Sequence, residues 1–130
     1  MPIPDRTQYL KHLTTLLRTL WPQNRTINIV CHGHSVTAGY FKTPLVDTFH
    51  AYPHLLHRGI KERFPYAVVN VIVTAIGGED SEAGAKRFER DVLAHQPDVV
   101  TIEGVGCGVS NSPGAKRRIH SSWRSPRPPT

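Results

Sequence analysis

A histidine and a serine stand side by side, as His34 and Ser35, in a short glycine-containing segment at 32–39. A serine in a tight turn directly after a strand presents its hydroxyl to a cleft, where backbone N–H groups can stabilise an oxyanion. Two further glycine-containing segments, at 77–81 and 104–108, also follow apolar runs. If the fold brings the three segments together, a nucleophilic role for Ser35 is one interpretation. A serine at such a place is also a common turn or capping residue, so this pattern alone leaves both interpretations open.

Histidines at alternate positions suggest a different chemistry. His32 and His34 are two residues apart at a strand end, so both imidazoles could face one side and bind a metal ion. A metal site needs three or more ligands with supporting contacts, and no Asp or Glu lies in this segment. We therefore expect no metal, and a metal-dependent hydrolase that uses His32 and His34 is kept as the alternative. His54 and His57 are expected on the solvent side of a helix.

The rest of the chain alternates between apolar runs typical of strands and amphipathic stretches typical of helices. Strands are predicted at 27–30, 67–76 and 98–103, and helices at 6–20, 53–63 and 81–95. This order predicts right-handed βαβ units, and hence a parallel sheet with helices on both faces. The predicted fold is a three-layer α/β domain of flavodoxin-like type, truncated after its third strand. Ligands bind such sheets at the carboxyl ends of the strands, where the three glycine-containing segments lie.

Charge is divided unevenly along the chain. Residues 1–103 contain 11 Lys and Arg and 10 Asp and Glu, whereas residues 104–130 contain 5 Lys and Arg and no acidic residue. The first part is therefore close to neutral, and we expect no specific nucleic-acid partner. The tail 104–130 is rich in Gly, Ser, Pro and Arg and lacks any helical or strand periodicity, so it is expected to be disordered.

The sequence also bears on the compartment. Its first residues have no positive cluster followed by an apolar segment, so no secretory signal is predicted and a cytoplasmic location is expected. No apolar run is long enough to cross a bilayer, so no membrane partner is expected. Cys31 and Cys107 are expected to be unpaired thiols. The oligomeric state is left open.

Residues 27–103 carry several motifs in an order that resembles one enzyme family, the SGNH (GDSL-type) ester hydrolases. Gly33-His34-Ser35 followed by Thr37-Ala38-Gly39 resembles the family's first block, Gly-Asp-Ser followed by a pair of small residues and Gly, with His34 in the place of Asp. The stretch Ile76–Ser81 is similar to the second block. Pro97–Glu103 resembles the strand that leads into the third block, and Tyr52-Pro53 resembles the start of the helix after the first.

This resemblance implies an ester hydrolase that works through an acyl-enzyme at Ser35. It further implies that the N–H groups of Ser35 and Gly78 form an oxyanion hole and that no cofactor is required. If the two histidines bind no metal, His34 is expected to face the cleft and His32 to pack near the strand end. The implied substrates are small-molecule esters or acylated carbohydrates.

Two blocks of the family pattern have no counterpart in this sequence. The third block, Gly-x-Asn-Asp, is absent after Glu103, and no acidic residue follows to form the terminal Asp-x-x-His, so His120 stands alone. Without a positioned base a serine hydroxyl is a poor nucleophile, and the chain is expected to be inactive or nearly so. A shift of reading frame near codon 103 would account for the abrupt change. A non-catalytic binding domain on the same fold is a third interpretation.

Overall fold

Three parallel strands form the centre of the protein in a computed structural model, which describes Asp5 and residues 7–103. They are β1 (Ile27–Gly33), β2 (Val69–Ala75) and β3 (Val99–Ile102), in the sheet order β2-β1-β3. All described strand pairs are parallel. The predicted α/β fold with a parallel sheet is therefore confirmed, and β3 is the last strand in the described part of the chain.

β1 continues three residues beyond its predicted end because both of its edges are paired. Ile27–Gly33 lies opposite Val69–Ala75 of β2, and Ile29–His32 lies opposite Val99–Ile102 of β3. These two ladders satisfy the backbone polar groups of β1 up to its carboxyl end. The strand therefore extends through Gly33, although its last side chains do not follow an apolar pattern.

Helices connect the strands and cover the sheet. They are α1 (Lys11–Arg18), α2 (Ser35–Ala38), α3 (Tyr52–Arg63), α4 (Ser81–Lys86) and α5 (Phe88–Asp91), with 3-10 turns at Thr48–His50 and Leu93–His95. α3 closely matches its predicted span and has Pro53 in its first turn, where the missing N–H is not needed. The single turn of α2 is not predicted by the sequence.

Two predicted helices are shorter in the structure. The helix expected at 6–20 begins only at Lys11, because the Asp5 carboxylate accepts hydrogen bonds from the Thr7 N–H and hydroxyl and so forms a local turn. The helix expected at 81–95 is divided into α4, α5 and a 3-10 turn. The first division falls at Arg87, whose side chain reaches the carbonyl of Gly33 at the end of β1.

The sheet is covered on both faces, which produces the three layers. On one face α1 and α3 pack over the sheet, and the buried residues of this core are Leu17, Ile27, Ile29, Cys31, Ala67 and Val69. On the other face His32 contacts Gly84 in α4 and Phe88 in α5. Burying a Val, Leu or Ile side chain contributes roughly 1.5–3 kcal/mol, so the core under α1 and α3 stabilises β1 strongly.

Some predictions concern regions outside the described residues. One of these regions is the tail 104–130, which includes Cys107 and the glycine-containing segment at 104–108. The disorder predicted for this tail therefore stays a prediction. Within the described residues Cys31 is a buried free thiol. No helix in this part of the chain has the length and apolar character needed to cross a membrane.

Candidate active site

The carboxyl ends of the three strands lie side by side. Gly33 of β1 is opposite Ala75 of β2, and His32 is opposite Ile102 of β3. Two backbone hydrogen bonds continue this pairing beyond the strands: the Ile76 N–H donates to the Gly33 carbonyl at 3.2 Å, and the Glu103 N–H donates to the His32 carbonyl at 2.9 Å. The segments that follow the strands therefore start from a common edge, as the sequence predicts.

Ser35 begins the short helix α2, directly after β1. We call residues 33–39 the Ser35 turn. It ends at Gly39, whose φ of 106° is in the left-handed region that favours glycine. The N–H groups of Gly39 and Tyr40 both donate to the Ser35 carbonyl, which folds the chain back. Ser35 is thus placed at the tip of the central strand on a closed turn.

The Ser35 turn leaves no room for a side chain at Gly33. A Cβ atom there would lie 2.3 Å from the Thr37 Oγ1 and 2.9 Å from the Glu103 Cβ, both far inside normal contact distances. The first glycine of the motif is therefore required by packing of the turn against Glu103.

Glu103, the residue after β3, holds the Ser35 turn through one of its carboxylate oxygens. Its Oε2 accepts hydrogen bonds from the Thr37 N–H at 3.0 Å and from the Thr37 hydroxyl. Thr37 is only 1% exposed. A buried N–H without an acceptor is costly, so this contact ties the turn to β3. The sequence offered no signal for this role of Glu103, because the contact depends on the pairing of β3 with β1.

The ring of His34 lies in the interior beside Glu103. Its side chain is 6% exposed, and its Nδ1 is 3.5 Å from the Glu103 Oε1, which is too long for a good hydrogen bond. Within the described residues neither ring nitrogen of His34 has a hydrogen-bond partner. The structure places this side chain in a buried position next to a carboxylate, and the predicted position of His34 at the cleft stays a prediction.

Gly78 lies in the segment after β2, which we call the glycine-pair loop, residues 76–80. Its φ of 78° favours glycine, while a Cβ atom there would meet nothing within 4 Å. Its neighbour Gly77 is different, since a Cβ atom would lie 2.9 Å from the Tyr40 ring. Tyr40 follows the Ser35 turn directly, so its ring brings the two predicted site segments into contact.

A buried arginine anchors the glycine-pair loop. The Arg87 Nε donates to both carboxylate oxygens of Glu79, at 2.9 and 2.8 Å, and its Nη2 donates to the Gly33 carbonyl at 3.2 Å. The side chains of Arg87 and Glu79 are 8% and 11% exposed. This pair joins the loop after β2 to the end of β1. The sequence offered no signal for it beyond the two opposite charges eight residues apart.

His32 is fully engaged by the surrounding protein. Its Nε2 lies 2.9 Å from the Gly84 carbonyl, which can only accept, so Nε2 carries the hydrogen. Its Nδ1 lies 2.8 Å from the Thr74 hydroxyl. Neither nitrogen is therefore open to a metal ion. Among the described residues no three His, Cys, Asp or Glu side chains form a group that could hold a metal, so His32 and His34 do not gain a third ligand there.

Two other histidines do not lie on a solvated helix face as expected. His54 and His57 are half-buried and line an open cavity of about 300 Å³ between α3 and β2, together with Val71 and Val73. The His54 ring packs edge-on against Phe49 at 4.8 Å between centroids. The prediction failed because periodicity does not show how far α3 leaves β2 uncovered.

Tyr52 connects α3 to β3 near the same end of the sheet. Its hydroxyl lies 2.9 Å from the Thr101 Oγ1. Burial raises the pKa of the Tyr52 phenol, and hydrogen bonding to Thr101 and Thr37 opposes part of that rise. Burial therefore favours the neutral form of the Tyr52 phenol.

Comparison with known proteins gives a family and similar solved structures. Residues 31–106 match the GDSL-like lipase/acylhydrolase family. The chain is similar to a two-domain esterase active on acetylated mannans, with a TM-score of 0.63 and 29% identity over 73% of this chain and 24% of that chain. The same esterase co-crystallised with mannopentaose gives a TM-score of 0.62, with the same identity and coverage. A lipase/acylhydrolase from Enterococcus faecalis is 30% identical over 58% of this chain and 37% of that chain, with a TM-score of 0.47. No curated protein matches.

The matched region covers more than half of the chain and contains the Ser35 turn and the glycine-pair loop, which belong to two of the three predicted site segments. The chain spans about a quarter of the two-domain esterase, 24% of its length. The arrangement of strands and helices agrees with that esterase over 73% of this chain. The chain therefore belongs to the GDSL-like lipase/acylhydrolase family and is of the ester-hydrolase type at the level of that family.

Proposed function

We propose that Ser35 is the nucleophile of an ester hydrolase and is acylated during the reaction. The observation that carries this proposal is the position of Ser35 at the tip of β1, on a turn that contacts the glycine-pair loop through Tyr40 and Gly77. Attack on an ester carbonyl by the Ser35 hydroxyl would form an acyl-serine and release the alcohol. The N–H groups of Ser35 and Gly78 would stabilise the oxyanion that develops.

We further propose that the substrates carry small acyl groups and include acylated carbohydrates. The similar two-domain esterase acts on acetylated mannans, which supports this class of substrate. Exposed apolar side chains follow Ser35 closely in sequence, with Val36 and Phe41 at 50% and 60% exposure. Such side chains beside a nucleophile suit the apolar faces of a sugar or a short acyl chain.

The proposed reaction is slow in this 130-residue chain. Hydrolysis of the acyl-serine requires a general base, and residues 104–130 contain no carboxylate to orient His120. Loss of a triad member lowers rates by roughly three to six powers of ten. We therefore propose that Ser35 can be acylated by an activated ester but that turnover is nearly absent.

Acetylation by p-nitrophenyl acetate at mildly alkaline pH tests this proposal. We expect one acetyl group to accumulate on the 130-residue chain, with peptide mapping by mass spectrometry that assigns it to Ser35. Ser35→Ala should abolish the label. Ser81→Ala is the matched control, because Ser81 is an exposed serine at the start of α4 after the neighbouring strand, and it should leave labelling unchanged. Equal labelling of Ser35→Ala and the unmodified chain would refute the proposed nucleophile.

A further inference from the structure

We infer that Glu103 is the positioning residue of the nucleophile, and that it provides from β3 the carboxylate that an aspartate at position 34 would provide locally. Glu103 does not contact the substrate. It acts on the position of Ser35 through its hydrogen bonds with Thr37, two residues further along the chain. The inference rests on the proposed function only in taking Ser35 as the reacting residue. The hydrogen bonds that it invokes exist whether or not the chain turns over an ester.

His34 occupies the position from which a side chain could cap α2. It is the residue immediately before α2, a place where Asp, Asn, Ser or Thr commonly accepts a hydrogen bond from the third helical N–H. The third helical residue here is Thr37. His34 makes no such side-chain bond. The family motif, which has Asp at this place, would supply the acceptor from the turn itself.

Glu103 accepts the Thr37 N–H instead. The Glu103 Oε2 takes it at 3.0 Å and also takes the Thr37 hydroxyl, so one carboxylate oxygen receives both donors of a buried residue. The backbone of Glu103 is fixed as well, because its N–H donates to the His32 carbonyl at 2.9 Å. Glu103 therefore accepts the hydrogen bonds of the Ser35 turn from a fixed position directly after β3.

The Glu103 carboxylate lies close to both Gly33 and His34. The Glu103 Oε2 lies 2.9 Å from the place where a Cβ of Gly33 would be, so the carboxylate packs directly against the turn. Its Oε1 is 3.5 Å from the His34 Nδ1. An aspartate at position 34 would therefore bring a second negative charge close to Glu103, with one Thr37 amide to share. The carboxylates at 34 and 103 are thus exchangeable, but they are unfavourable together.

Amide hydrogen exchange at Thr37 tests the exchange of carboxylates in the full 130-residue chain. Glu103→Gln should accelerate exchange of this amide by roughly tenfold, because a neutral acceptor holds a buried N–H less well than a carboxylate. His34→Asp alone should also accelerate it through repulsion between the two carboxylates. The double variant His34→Asp/Glu103→Gln should return exchange to within about threefold of the unmodified chain, since the local carboxylate then caps the turn. Glu89→Gln, at an exposed position in α5, is the matched control and should change nothing.

The rate of Ser35 acetylation by p-nitrophenyl acetate is measured on the same variants. It should fall in each single variant and recover in the double variant, which a general loss of stability would not produce.

If Glu103→Gln does not fold, restoration of folding by added His34→Asp supports the inference, and failure to restore it contradicts the inference. Thr37→Val, which keeps the N–H and removes one donor, should give an intermediate acetylation rate. A double variant no better than Glu103→Gln alone would overturn the role of Glu103. Absence of acetylation in the unmodified chain would instead refute the proposed function, and Thr37 exchange would still decide the role of Glu103.

Discussion

The Ser35 turn and the glycine-pair loop lie at the same end of the sheet but are anchored by different parts of the protein. The Ser35 turn is held by a carboxylate from the residue after β3, through the hydrogen bonds of Glu103 with Thr37. In the glycine-pair loop, Glu79 accepts a hydrogen bond from the Arg87 Nε. The Arg87 Nη2 in turn donates to the carbonyl of Gly33, which anchors the loop to the end of β1. One anchor therefore depends on strand pairing, and the other on the helices that follow the loop.

The glycines of the two segments are also required for different reasons. Gly33 is required because a Cβ atom would collide with Thr37 and Glu103. Gly78 has space around it, and its backbone conformation, with φ of 78°, is what favours glycine. A tightly packed turn thus faces a loop that is constrained by its backbone and one ion pair. This difference predicts that substitutions in the first segment affect global stability, whereas those in the second act locally unless they break the Arg87 anchor.

Breaking the Arg87 anchor should have the largest effect. Arg87→Met leaves the Glu79 carboxylate nearly buried without its partner, and we expect a loss of about 3 kcal/mol in the free energy of unfolding. Arg90→Met is the control, because the Arg90 side chain is 78% exposed and solvent screens its ion pair with Asp91, so this variant should unfold at nearly the same urea concentration as the unmodified chain. Urea denaturation followed by circular dichroism measures both. Equal midpoints for the two variants would show that Arg87 is not an anchor.

Filling the space at Gly33 should have the next largest effect. The added methyl group of Gly33→Ala overpacks the Ser35 turn, at an expected cost of about 2 kcal/mol. Gly59→Ala in α3 is a matched control with the opposite sign. A Cβ atom at Gly59 meets nothing within 4 Å, and alanine should stabilise the helix by about 0.5 kcal/mol. Thermal unfolding should show a lower midpoint for Gly33→Ala and a higher midpoint for Gly59→Ala than for the unmodified chain. An unchanged midpoint for Gly33→Ala would contradict the tight packing of the turn.

The sequence predicted the outline of the fold well because apolar periodicity reports which faces are buried. The continuous apolar run at 67–76 and the spacing of Leu56, Ile60 and Phe64 led directly to β2 and α3. Periodicity failed at 81–95, where Phe88 and Val92 fit a single helix. The helix divides at Arg87, and a charge that is buried by an ion pair leaves no mark in a hydrophobic pattern.

The candidate site was predictable in its segments but not in its supports. Glycines after apolar runs placed the Ser35 turn and the glycine-pair loop at one sheet edge, and the structure brings these segments together through Tyr40. The contacts of Glu103 and Arg87 depend on strand register and helix packing, which no short motif encodes. The burial of His34 was missed for the same reason. The roles of Ser35 and Gly78 in catalysis stay predictions.

A substitution at Gly78 should separate local from global effects. Gly78→Ala forces a residue with a side chain to adopt a φ of 78°, at an expected cost of about 1 kcal/mol, without any steric collision. Hydrogen exchange should increase in the glycine-pair loop, while the Thr37 amide in the Ser35 turn keeps its protection. Faster exchange at Thr37 in this variant would show that the two segments are coupled rather than independently anchored.

The smallest effect is expected at the opposite end of the sheet, where Asp98 joins the start of β3 to Arg25 and to the Asn28 N–H of β1. Burial raises the pKa of Asp98, but the hydrogen bonds from Arg25 and Asn28 outweigh it and leave the pKa below its usual value. Because the folded pKa is the lower one, the ionised carboxylate stabilises the fold above the unfolded value of 3.8, and this contribution is lost as the pH falls through the folded pKa.

Asp98→Asn should therefore lower stability at neutral pH by about 0.5–1 kcal/mol, a modest amount because the Arg25 side chain is half exposed to solvent. The difference from the unmodified chain should disappear in strong acid, where Asp98 is protonated in both states. Urea denaturation across this pH range measures it, with Glu62→Gln on the exposed side of α3 as the control. Since the pair lies far from the Ser35 turn along β1, the acetylation rate of Ser35 should not change. A parallel loss of acetylation would mean that the two ends of β1 are coupled, and that the anchors at the carboxyl end do not act alone.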